Sequence, residues 1–129
     1  MSKKRNKILV TGGAGFVGTN LIKFLLKKTK YKIISIDNYS SGNKKNHIKN
    51  TRIKYLKGDT KDIFQIVKNS NEINVAFHFG EFARIYQSFI KMNECINSNS
   101  LGTNAVFNFC LKNKIKLIYS APSASLGNK

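Results

Sequence analysis

Gly12, Gly15 and Gly18 stand three residues apart in the segment Thr11-Gly12-Gly13-Ala14-Gly15-Phe16-Val17-Gly18. An apolar run, Lys7-Ile8-Leu9-Val10-Thr11, precedes them. A stretch with Phe16, Val17, Leu21 and Leu25 at helical spacing follows. Between a strand and a helix, such glycines build an anion cradle. Gly12 permits the tight turn, Gly15 lets backbone amides approach a pyrophosphate, and Gly18 lets the helix pack closely. The helix N-terminus adds oriented N–H donors and the positive end of its dipole. The bland alternative is a glycine turn that only joins two elements. Asp37 lies 19 residues after Gly18, at the end of a second apolar run. A carboxylate there can accept hydrogen bonds from the adenosine ribose of NAD and repel the 2′-phosphate of NADP. It can equally cap the loop that starts at Asn38. No arginine adjoins it, although Lys44 and Lys45 further on can soften the discrimination.

The elements that must hold these residues follow from pattern. Residues 7–11 read as a buried strand, 15–28 as a helix with lysines at its C-terminal end, and 32–37 as a second strand. Residues 38–52 are polar and read as a loop with at most a helical turn. A third strand is expected over 53–56. A helix capped by Asp62 is expected to run to about Asn69, with Ile63, Ile66 and Val67 inward. Strands over 74–79 and 116–120 flank an ambiguous stretch at 82–90 and a long helix over 92–112, which contains Gly102. Strands alternating with helices predict βαβ units and right-handed crossovers. The expected fold is α/β: a Rossmann-type, doubly wound parallel sheet of about five strands in the order 3-2-1-4-5, with residues 1–129 forming one NAD(P)-binding domain.

Several ordered motifs resemble a known family. Thr11–Gly18, then Asp37-Asn38-Tyr39-Ser40-Ser41-Gly42, Gly58-Asp59, Ala76-Phe77-His78-Phe79, Asn99–Thr103 and Lys116–Gly127 are similar to the extended short-chain dehydrogenases. More narrowly, they resemble the NAD-dependent nucleotide-sugar epimerases and dehydratases. The resemblance covers nearly the whole chain from Lys7 and implies NAD as cofactor. It implies that Gly12, Gly15 and Gly18 form the pyrophosphate loop, with Phe16 and Val17 at its helix start. Asp37 and Asn38 would contact the adenosine ribose, with Ser41 and Gly42 beside them. Asp59 and Thr60 would hold the adenine; a turn aspartate capping the next helix is the alternative for Asp59. Phe79, Gly80 and Glu81 would end the fourth strand against the cofactor, where Glu81 departs from the family's small residue. Asn99 would support the site from the long helix, or be an ordinary helix-surface residue.

The family's shared reaction is transient hydride transfer from a sugar carbon of a nucleotide sugar to NAD. The resemblance implies a Tyr that removes the hydroxyl proton, a Lys four residues later that favours the phenolate, and an orienting Ser or Thr. None of Tyr31, Tyr39, Tyr55, Tyr86 or Tyr119 has Lys at the fourth position after it. Counting back from Gly127, Pro122 occupies the orienting position and Ser123 is the adjacent hydroxyl. Proline offers neither hydroxyl nor N–H. The expectation is the N-terminal cofactor half of such an enzyme, lacking the C-terminal substrate-binding part. A nucleotide sugar, and a family-like homodimer, are expected only once that part is supplied. An inactive truncated dinucleotide-binding module and a basic polyanion-binding protein are the alternatives.

The chain has 129 residues and a net charge of +17. Twenty of the 23 cations are lysines spread along the chain; only Arg5, Arg52 and Arg84 are arginines. Base readout favours arginine forks, and single-strand platforms interleave aromatics with charge. The pattern therefore reads as a solvated surface with salt-sensitive, non-specific attraction to polyanions, not as a specific nucleic-acid site. Hydrophobic residues make up 41% and aromatics 11%, which argues for a folded core. Cys95 and Cys110 would sit in one helix about 22 Å apart, too far for a disulfide. Free thiols suit a reducing cytoplasm. The apolar stretch 8–10 is too short for a signal peptide, and the uncharged run 95–111 carries too many Asn and Ser residues for a membrane span. His78 lies in an apolar strand and reads as a hydrogen-bonded core histidine, His47 as solvated in a polar loop. No metal-ligand spacing is present.

Overall fold

A computed structural model describes residues 4–40, 42–79 and 92–120 of the chain. β1 (Lys7–Thr11), β2 (Lys32–Asp37), β3 (Ile53–Lys57), β4 (Ile73–Phe79) and β5 (Lys116–Ser120) form one parallel sheet in the order β3-β2-β1-β4-β5. This is the expected doubly wound order. β1 is central because its Leu9 and Val10 tolerate no water on either side; both are fully buried.

Alternation along the strands divides the core in two. Ile8, Val10 and Ile33 face α1 (Phe16–Lys28), which buries Ile22 and Leu25 against them. Leu9, Ile34, Ile36 and Ala76 face the other way, under a long helix whose Val106, Phe109 and Cys110 complete that layer. That helix, α3, runs Met92–Asn113 and is preceded by a short α2 (Ile63–Ile66). The buried stripe of α1 is Gly18, Thr19, Ile22 and Leu25. Phe16 and Val17, read from the sequence as part of the apolar spacing, are instead 81% and 56% exposed.

The helix expected from Asp62 to about Asn69 is one turn long. A 3-10 turn, Thr60–Asp62, leads into Ile63–Ile66. Val67 then leaves the helix in an extended conformation and Asn69 adopts φ 55°. Asp62 makes no side-chain cap bond. Ile63 and Val67 are buried under α3, but the run Lys68-Asn69-Ser70-Asn71 offers no apolar side chain to pay for another turn. Asparagine also enters the left-handed region readily.

Two arginines tie the elements together. Arg52 donates to the carbonyls of Leu26, Thr29 and Tyr31. Arg5 donates to those of Ile73 and Asn113. Among the described residues no helix is long and apolar enough to cross a membrane.

Candidate functional site

The C-terminal ends of β1 to β4 bring the glycine turn and the loops after β2 and β3 onto one edge of the sheet, where open α/β sheets bind ligands. Gly12 has φ 70°, a conformation that favours glycine, and its N–H donates to the Ile36 carbonyl at 2.7 Å. A Cβ on Gly18 would collide with the Gly12 carbonyl, so this glycine lets α1 seat directly on the turn. A Cβ on Gly15 would meet nothing nearer than 3.5 Å. Internal packing thus does not require a glycine there. Gly15 is the N-cap of α1, and the first turn contains no acid. The amides of Phe16, Val17 and Gly18 have no intrahelical acceptor and point outward from the helix start.

Ala14 joins the turn to the loop after β2. Its N–H donates to Asp37 Oδ2 at 2.9 Å. Its carbonyl accepts from the Asn43 N–H at 3.1 Å and from Asn46 Nδ2 at 2.7 Å. Asp37 is only 8% exposed, and its Oδ1 accepts the Tyr39 N–H at 2.7 Å. The carboxylate is therefore the cap of the loop starting at Asn38. Each oxygen keeps a second lone pair for a ligand hydroxyl. A Cβ on Gly42 would press on Oδ2, so Gly42 keeps the loop close to this carboxylate.

Asn38 Nδ2 donates to Asp59 Oδ1 at 2.7 Å, linking the ends of β2 and β3. Asp59 precedes the 3-10 turn but makes no side-chain cap bond to it. Thr60 is buried, and its Oγ1 sits where a Cβ on Gly102 would fall. The glycine in the middle of α3 thus lets that helix approach the turn after β3. Asn99 lies one turn earlier in α3.

His78 is 1% exposed beneath this edge. The Phe79 N–H donates to Thr11 Oγ1 at 3.2 Å, and Thr11 Oγ1 shares a second hydrogen bond with His78 Nδ1, 2.8 Å away. Its Nε2 is hydrogen-bonded to Thr103 Oγ1 at 3.1 Å. Burial pushes the imidazole down from its ordinary value to about 4. It is the hydrogen-bonded core histidine that the sequence suggested. His47, expected to be solvated, is only partly exposed. Its ring stacks on Tyr55 at 3.8 Å, and Nε2 lies 2.6 Å from the Tyr39 hydroxyl. Burial, and then the Asp37 charge, raise the Tyr39 phenol.

The structure therefore gathers Gly12, Gly15, Phe16, Val17, Gly18, Asp37, Asn38, Gly42, Asp59, Thr60 and Phe79 along one edge. Ser41, Gly80, Glu81, Pro122 and Ser123 lie outside the described residues. Sequence reasoning passed over Gly13, where a Cβ would run into the Ser35 side chain, and Asn46. An asparagine in a polar loop carries no local signal of a partner 32 residues away. Among the described residues no group of three or more His, Cys, Asp or Glu side chains could hold a metal ion.

The model of the NAD dependent epimerase/dehydratase family matches residues 8–128. A dTDP-D-glucose 4,6-dehydratase of Dictyostelium discoideum is 31% identical over 117 residues, which are 85% of this chain and 27% of that protein. A UDP-glucose 4-epimerase of Halalkalibacterium halodurans is 26% identical over 123 residues, 93% of this chain and 36% of its own length. Among solved structures, UDP-glucose 4-epimerase of Bifidobacterium longum in complex with NAD+ and UDP superposes with a TM-score of 0.74 at 27% identity, covering 94% of this chain and 38% of that one. The chain thus spans roughly a third of the length of the proteins it matches.

Proposed function

The chain belongs to the NAD-dependent epimerase/dehydratase family, and we propose that within it these residues hold NAD for an enzyme acting on a nucleotide sugar. The observation that carries this reading is the Ala14–Asp37 bond, which sets a carboxylate beside an open glycine turn. The residues fit the cofactor's chemistry. The first amides of α1 would donate to the pyrophosphate, with the exposed Phe16 and Val17 at the same helix start. The unused lone pairs of Asp37 would accept from the adenosine ribose. Asp59, steadied by Asn38, would accept from the exocyclic amine of adenine, with Thr60, Ser41 and Gly42 beside it. NAD, once bound, supplies a hydride acceptor for a sugar carbon.

The proton half of that reaction has no donor pair in this sequence. No tyrosine is followed by lysine at the fourth position, and Pro122 stands where the family resemblance places an orienting hydroxyl, with Ser123 next to it. Binding energy without a base at the reacting atom does not lower the barrier. We propose that these 129 residues bind NAD without turning over a nucleotide sugar by themselves. The relatives' further length would supply the substrate site, the base and a dimer surface.

Titration calorimetry with NAD and NADP at about 0.15 M salt tests the binding claim, because charge-driven attraction is largely screened there. NAD should bind more tightly. Tighter NADP binding contradicts the assignment of Asp37. Sustained formation of NADH or of an altered sugar from UDP- or dTDP-hexoses contradicts the claim about turnover.

A further inference from the structure

The β1–β3 side of the sheet has a second concavity, at the end away from the glycine turn, with a volume of about 210 Å³. It follows from the short crossover between β3 and β4. Because α2 stops after one turn and Asn69 reverses the chain, Ile34, Leu56 and Ile66 are left as an apolar floor. Register then fixes the rim. Lys7 pairs with Lys32, and Ile34 pairs with Lys54, so the lysines that open β1 and β2 and the one in β3 share the face of Ile34. Lys68 closes the rim from the crossover.

The cations there are not equivalent. Lys7 is held by Glu72 at 2.7 Å. The guanidinium of Arg52 is committed to three carbonyls and contributes a fixed charge. Lys32, Lys54 and Lys68 are exposed at the rim, each with three donors to give. One exposed ammonium holds an anion weakly in salt, so three around one pocket select ligands that carry several charges close together. The apolar floor selects a ligand with a flat or apolar body attached to those charges.

We propose that this pocket binds a nucleoside polyphosphate, with the base on Ile34, Leu56 and Ile66 and the phosphates across Lys32, Lys54 and Lys68. Lys32 and Asp37 lie at opposite ends of β2, about 17 Å apart at roughly 3.3 Å per residue. The site is therefore separate from the glycine turn and does not depend on whether that turn holds NAD.

Calorimetric titration of the full chain with ATP and with inorganic tripolyphosphate, at about 0.15 M salt, tests it. ATP should bind more tightly than tripolyphosphate. The triple variant K32Q/K54Q/K68Q should weaken ATP by about tenfold or more, and K54Q or K68Q alone by about two- to threefold. The variant K23Q/K27Q/K28Q removes the same charge from α1 and should change ATP binding less than about twofold. Each titration is made with NAD saturating, which keeps the adenosine and phosphates of ATP off the glycine turn and should leave ATP binding at the pocket unchanged. Equal losses in the two triple variants would show diffuse attraction to a basic protein and overturn the proposal. Loss of ATP binding when NAD is saturating, with no effect of the pocket variants, would place the nucleotide at the glycine turn and overturn the proposal. Tripolyphosphate binding as tightly as ATP would remove the apolar floor from the argument.

Discussion

Asp37 holds Ala14: the carboxylate at the end of β2 accepts the amide of a residue 23 positions earlier, at 2.9 Å. The same group accepts the Tyr39 amide at 2.7 Å. One side chain thus sets the spacing between the glycine turn and the loop beside it.

Replacing that carboxylate should act on stability before it acts on any ligand. Asp37→Ala removes two charge-assisted hydrogen bonds and should cost about 1–3 kcal/mol in urea denaturation. NAD binding should weaken and the gap between NAD and NADP should narrow. Asp37→Asn can keep one amide bond through its Oδ1 and should lose less stability. If Asp37→Ala is as stable as the native chain, the two amides do not depend on it.

His78 makes the fold sensitive to acid. Its imidazole titrates at about 4 in the folded chain, below the ordinary 6.5 of the unfolded one. Below pH 6.5 the unfolded state therefore binds a proton that the folded state refuses. The stabilisation is fully present above that pH and is lost as pH falls through the window toward 4, by a few kcal/mol at most. Denaturation curves at pH 4 to 8 should show this slope, and His78→Gln should flatten it. An unchanged slope in that variant would assign the effect elsewhere.

Gly102 should tolerate alanine poorly, although alanine is the better helix former by about 1 kcal/mol. Its Cβ would fall on Thr60 Oγ1, so Gly102→Ala should destabilise the chain by about 1–3 kcal/mol. Adding Thr60→Ala should recover part of that loss. Simple addition of the two effects in a double-mutant cycle would mean that α3 and the turn after β3 do not press on each other.

Ser35 and Gly13 offer the opposite case. The Ser35 hydroxyl is buried with no hydrogen-bond partner among the described residues, against the α-carbon face of Gly13. Ser35→Ala removes an unsatisfied group and should be neutral or stabilising by about 1 kcal/mol. Gly13→Ala should be strongly destabilising, and Ser35→Gly in the same chain should relieve it. Thermal melts of the three variants decide the matter. A large loss in Ser35→Ala would reveal a partner for the hydroxyl.

The parts of this fold legible in the sequence were those written in short-range pattern. Lys7–Thr11, Lys32–Asp37 and Lys116–Ser120 are strands at the expected bounds because each apolar run ends in a turn residue or a charge. Alternation and crossover handedness predicted a parallel sheet, and the doubly wound pattern supplied its order; handedness alone would also allow 2-1-3-4-5. The buried, hydrogen-bonded state of His78 was legible because its neighbours in the strand are apolar. What was not legible depends on contacts between distant residues. Gly13 lies outside the three-residue glycine spacing, yet Ser35 forbids a side chain there. His47 looked solvated until Tyr55 and Tyr39 were placed around it. Asp62 has the right residue type for a cap, but Val67 leaves the helix before a full one can form. In the site, the positions of Asp37 and Asp59 followed from spacing; their bonds to Ala14 and Asn38 did not.

The two structural arginines imply an order of assembly. Arg52 closes contacts with residues 21 to 26 positions behind it, so the glycine turn, α1 and the first three strands can lock together from a short length of chain. Arg5 reaches carbonyls 68 and 108 positions ahead. On a ribosome, the first set can form once β3 has emerged, whereas Arg5 must wait for the end of α3. The contacts of Arg52 around α1 can thus form while the strands that extend the sheet beyond β1 are still being synthesised, whereas the turn at Thr60 must wait for Gly102 of α3.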